Sequence, residues 1–294
     1  MKKHYDKSHK TWQQQIELLK SKNLVILDEN YALEKLRNLN YYRLSAYFLP
    51  FYNENKEFVK NTNFTNIIDL YNFDIELKYL VYNALQTIEL YFRTQIAYYH
   101  SLKFGATGYL DELNFTQNPK KPKTHKSLIN TMFKEINRSN ESFIKHFKDN
   151  YYEIPLWAVV EVMSFRTLSN FYALLKTNEQ KQICDIFSID KSVLVNWLHV
   201  ATLVRNICAH HSRLWNKTLA VILKIPNKNI FFKDIKLNNQ KIFSFLSVMV
   251  YLLNKIDSKN NFKNELKILL KKYPKVDLFS MGFYEEWQYT NLWK

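Results

Sequence analysis

FTNIIDLYNFDIELKYLVYNALQTIELYFRTQIAYYHSLKF, residues 64–104, decides the fold. The stretch holds no proline and no glycine. Leu70, Phe73, Leu77, Leu80, Val81, Ala84, Leu85, Ile88, Phe92 and Ile96 recur at three- and four-residue steps, the spacing of one helix face. Forty uninterrupted residues make ~60 Å of helix at about 1.5 Å per residue, a scaffold on which other helices pack. Thr65 is a candidate cap, because a hydroxyl can accept from the first unpaired backbone N–H groups. Gly105 ends the run.

On the N-terminal side, Trp12, Ile16 and Leu19, then Leu33, Leu36 and Leu39, keep helical spacing over 11–39. A dense aromatic block, NYYRLSAYFLP, follows at 40–50, and the polar stretch 53–63 reads as a loop. On the other side, 105–126 carries two glycines, two prolines and PKKPKTHK, the composition of a flexible connector. Helices are then expected over 127–149, from Pro155 through WAVVEVMSFRTLSNFYALL, over 178–187, and from a cap at Asp190 through SVLVNWLHVATLVRNICAHHSRLW. Pro226 closes that region, and two more helices are expected at 240–256 and 262–272. No segment shows convincing strand alternation, although 218–237 has room for a short hairpin. The expectation is an all-α protein: an N-terminal helical and aromatic segment (1–62) packed on a helical domain (63–294) with a basic connector near 104–126.

Composition narrows the function. The chain has 294 residues, of which 47% are hydrophobic, so there is ample material for a core. Its three glycines, Gly105, Gly108 and Gly282, cannot build a glycine-rich phosphate or dinucleotide loop. The net charge of +15 points to a polyanion as partner. Cys184 and Cys208 are too few for a disulfide framework or a four-thiolate zinc site. No His/Cys/Asp/Glu cluster has ligand spacing, so neither metal nor cofactor is expected. MKKHYDKSHKTWQQQ has no apolar stretch after its lysines, and the longest strongly apolar run, Ile242 to Leu253, falls short of the ~20 residues a spanning helix needs. A cytoplasmic location without membrane contact is expected.

Chemistry concentrates in LVRNICAHHSRLWN, residues 203–216, which sets Arg205, Asn206, His210, His211 and Arg213 at the end of an apolar helix. Asn206 and His210 are i, i+4 and share a face. Arg205 and His210, five apart, lie about 140° apart around a regular helix. Aiming both at one phosphate needs a long Arg side chain, a local break, or a second copy of the segment. Arginine with histidine and no metal suits cleavage of RNA by its own 2′-hydroxyl: the imidazole moves the proton and the guanidinium stabilises phosphate charge. The bland alternative is a set of caps and ion pairs at a helix C-terminus.

Arg205-Asn-Ile-Cys-Ala-His210 fits the Arg-x4-His signature of the HEPN ribonuclease superfamily. The longer RNICAHHSRLWN resembles the hallmark of its Abi-like (AbiD/AbiF-type abortive infection) branch. NYYRLSAYFLPF at 40–51 and PLWAVVEVMSFRTLSNFY at 155–172 are similar to two further blocks of that family, with Arg166 standing where a glycine is common. The resemblance covers roughly residues 12–256. It implies a HEPN-like helical bundle and a metal-independent RNA endonuclease used as a toxin-like defence against phage. It also implies a homodimer in which two motifs share one composite cleft, with Arg205 and His210 catalytic and Asn206 orienting His210 or the phosphate. Relatives associated with noncoding RNAs imply an alternative: an RNA-binding protein that holds, or is regulated by, a structured noncoding RNA without cutting it. A pure protein-interaction scaffold would explain the helices but not the Arg/His string.

Other polar groups are expected to support the site. Glu89 and Arg93 are i, i+4 on the long helix, either a surface pair or a brace for Arg205. Glu161, a lone acid in an apolar stretch, is either exposed or partnered by Arg205 or Arg213. His199 reads as structural, and His100 is ambiguous. The aromatics of 41–52 suit core packing or base stacking. Residues 119–148 hold eight Lys/Arg against two acids, and 217–275 thirteen lysines against three. Lys120, Lys121, Lys123 and Lys126 are the candidates for holding the RNA backbone.

Overall fold

The computed structural model describes residues 4, 8–117, 124–226 and 228–294. Those residues form an all-α protein of twelve α-helices, with isolated bridges in place of strands. Two compact units divide the chain: residues 1–76 with 269–276, and residues 77–268 with 277–294.

The smaller unit contains α1 (Trp12–Lys20), α2 (Glu29–Asn38), α3 (Tyr41–Ser45) and the start of α4 (Phe64–Phe104). Thr11 and Gln14 form a capping box on α1, Asp28 caps α2 and Asn40 caps α3. The aromatic block serves the core: Tyr47 and Phe48 are buried, and Tyr47 donates to Asp74 Oδ2 at 2.6 Å. The long helix has the bounds its sequence demands, but Thr65 lies inside its first turn. Asn66 instead accepts from the Asn63 N–H at 2.9 Å.

The larger unit holds the rest of α4, then α5 (His125–Arg138), α6 (Ser142–Asn150), α7 (Leu156–Val162), α8 (Phe165–Leu174), α9 (Thr177–Asp185), α10 (Lys191–Ala209), α11 (Ile242–Ile256) and most of α12 (Phe262–Lys272). Two expected helices are broken. The 127–149 helix divides at Ser139–Glu141, and the helix after Pro155 divides at Met163–Ser164. Ser164 restarts the chain as α8 by accepting from the Thr167 N–H. The first part of the expected connector is tied down: Tyr109 donates to Ile154 O at 2.9 Å, and the Thr116 hydroxyl donates to Leu175 O at 2.9 Å. Residues 218–241 form one isolated bridge, Thr218 to Lys241, in place of a hairpin. Burial pushes the Tyr172 hydroxyl well above its ordinary range, and it serves as a donor to Gln180 O.

Among the described residues one helix, α10, passes by length and composition alone as apolar enough to cross a membrane. Its apolar face is spent inside the unit: Leu194, Trp197, Leu198, Val200 and Val204 are fully buried. Thr202 on this helix donates to Leu198 O at 2.9 Å and reaches Phe165 O at 3.5 Å, at the start of α8.

Candidate active site at the end of the core helix

The final turns of α10 change from apolar to polar as the helix leaves the core. Val204 and Cys208 are buried, Arg205 and Asn206 half-buried, and His210 and His211 exposed. The helix was expected to continue to Trp215 but ends at Ala209. His210 is the C-cap, with φ −91° and ψ 12°. Beyond it the Ser212 N–H bonds to Ile207 O at 3.0 Å and the His211 N–H to Cys208 O at 3.1 Å. That pair of bonds is the Schellman ending, which places its next residue in the left-handed region and favours glycine there. His211 occupies it with φ +54°. A side chain in that conformation costs about 1 kcal/mol, and no glycine marks the stop in the sequence.

Asn206 links the two proposed catalytic residues. Its side-chain Oδ1 accepts from Arg205 Nη1 at 3.3 Å, and its backbone carbonyl accepts the His210 N–H at 3.0 Å. The His210 side chain makes no hydrogen bond among the described residues. An arginine is thus steadied by an amide while an imidazole one turn later stays open to solvent. The arrangement can bind an oxyanion and move a proton. Among the described residues, no three His, Cys, Asp or Glu side chains gather as a metal-binding group.

The second half of the string anchors the first. Leu214 and Trp215 are buried, and Trp215 Nε1 donates to Asp277 O at 3.3 Å. The Arg213 guanidinium lies 5.9 Å from the Trp215 ring centre, within cation–π range. Asn216 turns the chain with φ +50° and accepts from Lys241 Nζ at 3.0 Å.

The supporting residues fall in several places. Glu89 and Arg93 form a buried ion pair, not a surface one. Arg93 Nη2 also donates to Met163 O at 2.6 Å, so its tertiary partner is the α7–α8 break. Glu135, missed in the sequence, serves the same break: its oxygens accept from the Ser164 N–H at 3.2 Å and the Thr167 hydroxyl at 2.9 Å. The Ser-x-x-Thr spacing at 164–167 was the available signal for the cap, but nothing local marked Glu135. Glu161 is exposed, forms no ion pair among the described residues, and lines a cavity of ≈ 610 Å³ beside the same break. His100 is a structural residue: Nδ1 lies 2.8 Å from Glu179 Oε1 and both side chains are fully buried. Of the four candidate RNA-holding lysines, Lys126 is exposed in the first turn of α5; Lys120, Lys121 and Lys123 lie outside the described residues.

A family model for the Abi-like protein matches residues 34–216. The match begins within α2 and closes on Asn216, the residue that ends the anchoring half of the string. No curated protein and no solved structure matches the chain. The matched span covers well over half of the 294 residues, and the chain belongs to the Abi-like protein family.

Proposed function

We propose that this protein is a metal-independent RNA endonuclease of the HEPN superfamily that acts in the cytoplasm. Membership of the Abi-like family points to phage defence by abortive infection, and a toxin-like ribonuclease fits that role. The observation that carries the reading is the exposed His210 side chain, without a hydrogen bond among the described residues, set one turn beyond the Arg205–Asn206 pair. A purely structural C-cap has no need of an arginine steadied there.

In this reading Arg205 pairs with the non-bridging oxygens of the scissile phosphate. His210 takes the proton of the 2′-hydroxyl, and the 2′ oxygen attacks phosphorus. The P–O5′ bond breaks, and the 5′ oxygen takes up a proton from a second acid. The products are a 2′,3′-cyclic phosphate and a 5′-hydroxyl end. The five-residue spacing of Arg205 and His210, about 140° on a regular helix, supports a composite site in which a second copy supplies the second acid.

A second copy has a face to use. Tyr79, Leu90, Tyr98 and Leu102 are 57–70% exposed along one side of α4. The only Asp, Glu, Lys or Arg residues between 79 and 102 are Glu89 and Arg93, which are paired to each other with their side chains largely buried, and His100 is fully buried against Glu179. In a chain of charge +15 this charge-free face lacks the cations that RNA requires, and it is one along which two copies can meet without repulsion. An antiparallel pairing centred on Leu90–Tyr91 sets Tyr79 against Leu102, Asn83 against Tyr98 and Thr87 against Thr94, a self-complementary register.

Wild-type protein should cut RNA in excess EDTA and leave 2′,3′-cyclic phosphate ends. Cutting lost on chelation and restored by magnesium would overturn the mechanism. Leu90→Glu should convert a dimer to a monomer by sedimentation, and an unchanged dimer mass would remove α4 as the interface.

A further inference from the structure

The cavity beside the α7–α8 break carries three exposed charges, Arg138 with Glu141 and Glu161. Arg138 ends α5 and Glu161 lies in the last turn of α7; both line the cavity, and neither forms an ion pair among the described residues. Glu135, on the same wall, is already occupied by Ser164 and Thr167. Phe143 contributes a half-buried ring. Trp157 is exposed one turn before Glu161, on the same face of α7. The cavity therefore offers a carboxylate acceptor, a guanidinium donor and aromatic surface, within a volume of ≈ 610 Å³ that suits a small planar ligand.

Its surroundings link it to the proposed active site. Met163 and Ser164 form part of its wall, and Phe165, the next residue, is reached by Thr202 of α10. Arg205 follows Thr202 by three residues, about 4.5 Å along the helix axis.

We infer that this cavity is a subsite for a guanine base, an inference that rests on the ribonuclease reading. Single-stranded RNA bases are read on their Watson–Crick and Hoogsteen edges and stacked on aromatic rings. Among the four bases, guanine alone presents two adjacent N–H donors, N1–H and N2–H, that match a carboxylate. Its O6 and N7 form the acceptor pair that an arginine fork fits. Glu161 takes the first edge and Arg138 the second, with Phe143 against the ring. A simple cation would meet Arg138, and a bare phosphate would meet Glu141 and Glu161, so a ligand with both donor and acceptor edges fits better than either.

The test uses full-length His210→Ala protein titrated with 3′-GMP and 3′-AMP, alongside sequencing of the ends that wild type leaves on mixed RNA. The expected result is at least ~10-fold tighter binding of 3′-GMP, the value of one bidentate base contact, and cuts enriched beside guanosine. Adding Glu161→Gln or Arg138→Gln, both exposed and thus compatible with folding, should erase the difference between the two nucleotides. Equal affinities, or a guanine preference that survives both substitutions, would overturn the subsite. Displacement by spermidine of a probe that 3′-GMP leaves in place would also overturn it, by marking the cavity as a cation site. If wild type cuts no RNA, the ribonuclease reading falls while the nucleotide titration still decides the subsite.

Discussion

Two histidines in the larger unit show opposite uses of one side chain. His100 is fully buried, hydrogen-bonded to Glu179 and enclosed by Phe104, Phe115 and Phe171. Its Nε2 and the Oε2 of Glu179 have no partner among the described residues, an arrangement that spends stability on the joint between α4 and α9. His210 sits at an exposed helix end beside an Arg–Asn pair, and its side chain makes no hydrogen bond among the described residues. A buried polar pair commits its groups to the fold. An exposed imidazole next to a steadied arginine keeps its groups free for a substrate. Substitutions should therefore separate the two sites cleanly, with stability falling at one and activity at the other.

The largest effect is expected on cleavage. Arg205→Ala and His210→Ala should each lower RNA cutting by ~10²–10⁴-fold. Their melting should change little, because exposed or half-exposed positions away from packing usually fall within about 0.5 kcal/mol. The double variant should be scarcely worse than either single one, since residues acting as a unit are not additive. Next come the buried pairs. His100→Ala or Glu179→Ala should cost about 3–5 kcal/mol in denaturant unfolding, because the remaining partner is left buried and uncompensated. If His100→Ala instead unfolded no more easily than His210→Ala, the contrast between the two histidines would collapse. Arg93→Ala belongs with His100, since it frees Glu89 and the Met163 carbonyl together.

A smaller effect should appear in binding. Charge reversal at Lys120, Lys121 and Lys123, with Lys126, should weaken RNA affinity and flatten its salt dependence, the slope falling by up to about one for each phosphate no longer neutralised. An unchanged slope would return these lysines to an ordinary solvated surface. The smallest effect sharpens the geometry of the helix end. His211→Gly should stabilise the protein by about 0.5–1 kcal/mol, since glycine adopts φ > 0 without strain. A loss of stability there would show that the His211 side chain contributes more than its conformation costs.

Much of the fold was legible because it is written in local periodicity. The 41 residues of α4 carry no breaker, and α12 begins and ends where its pattern does. The missed breaks share a cause. At Ser139–Glu141, Met163–Ser164 and His210–His211 the chain leaves the helix without glycine or proline. At the middle break the bonds come from Arg93 and Glu135, 70 and 29 residues away in sequence. Distant partners of this kind leave no periodic trace. The site divides the same way. Arg205, Asn206 and His210 could be read from one short string, and the Glu89–Arg93 pair from its spacing. The position of Glu161 in a cavity with Arg138 depends on how α5 and α7 pack, which the sequence pattern does not encode.

The central claim is that His210 moves a proton and does not merely cap a helix. The most direct measurement is RNA cleavage in EDTA by wild type and by His210→Ala at equal concentrations of folded protein, with helicity and melting recorded on the same samples and product ends identified. The account predicts 2′,3′-cyclic phosphate ends from wild type and cutting lost in the variant while its melting is unchanged. Full activity in a normally folded His210→Ala protein would contradict it and reduce the Arg–His string to a helix ending.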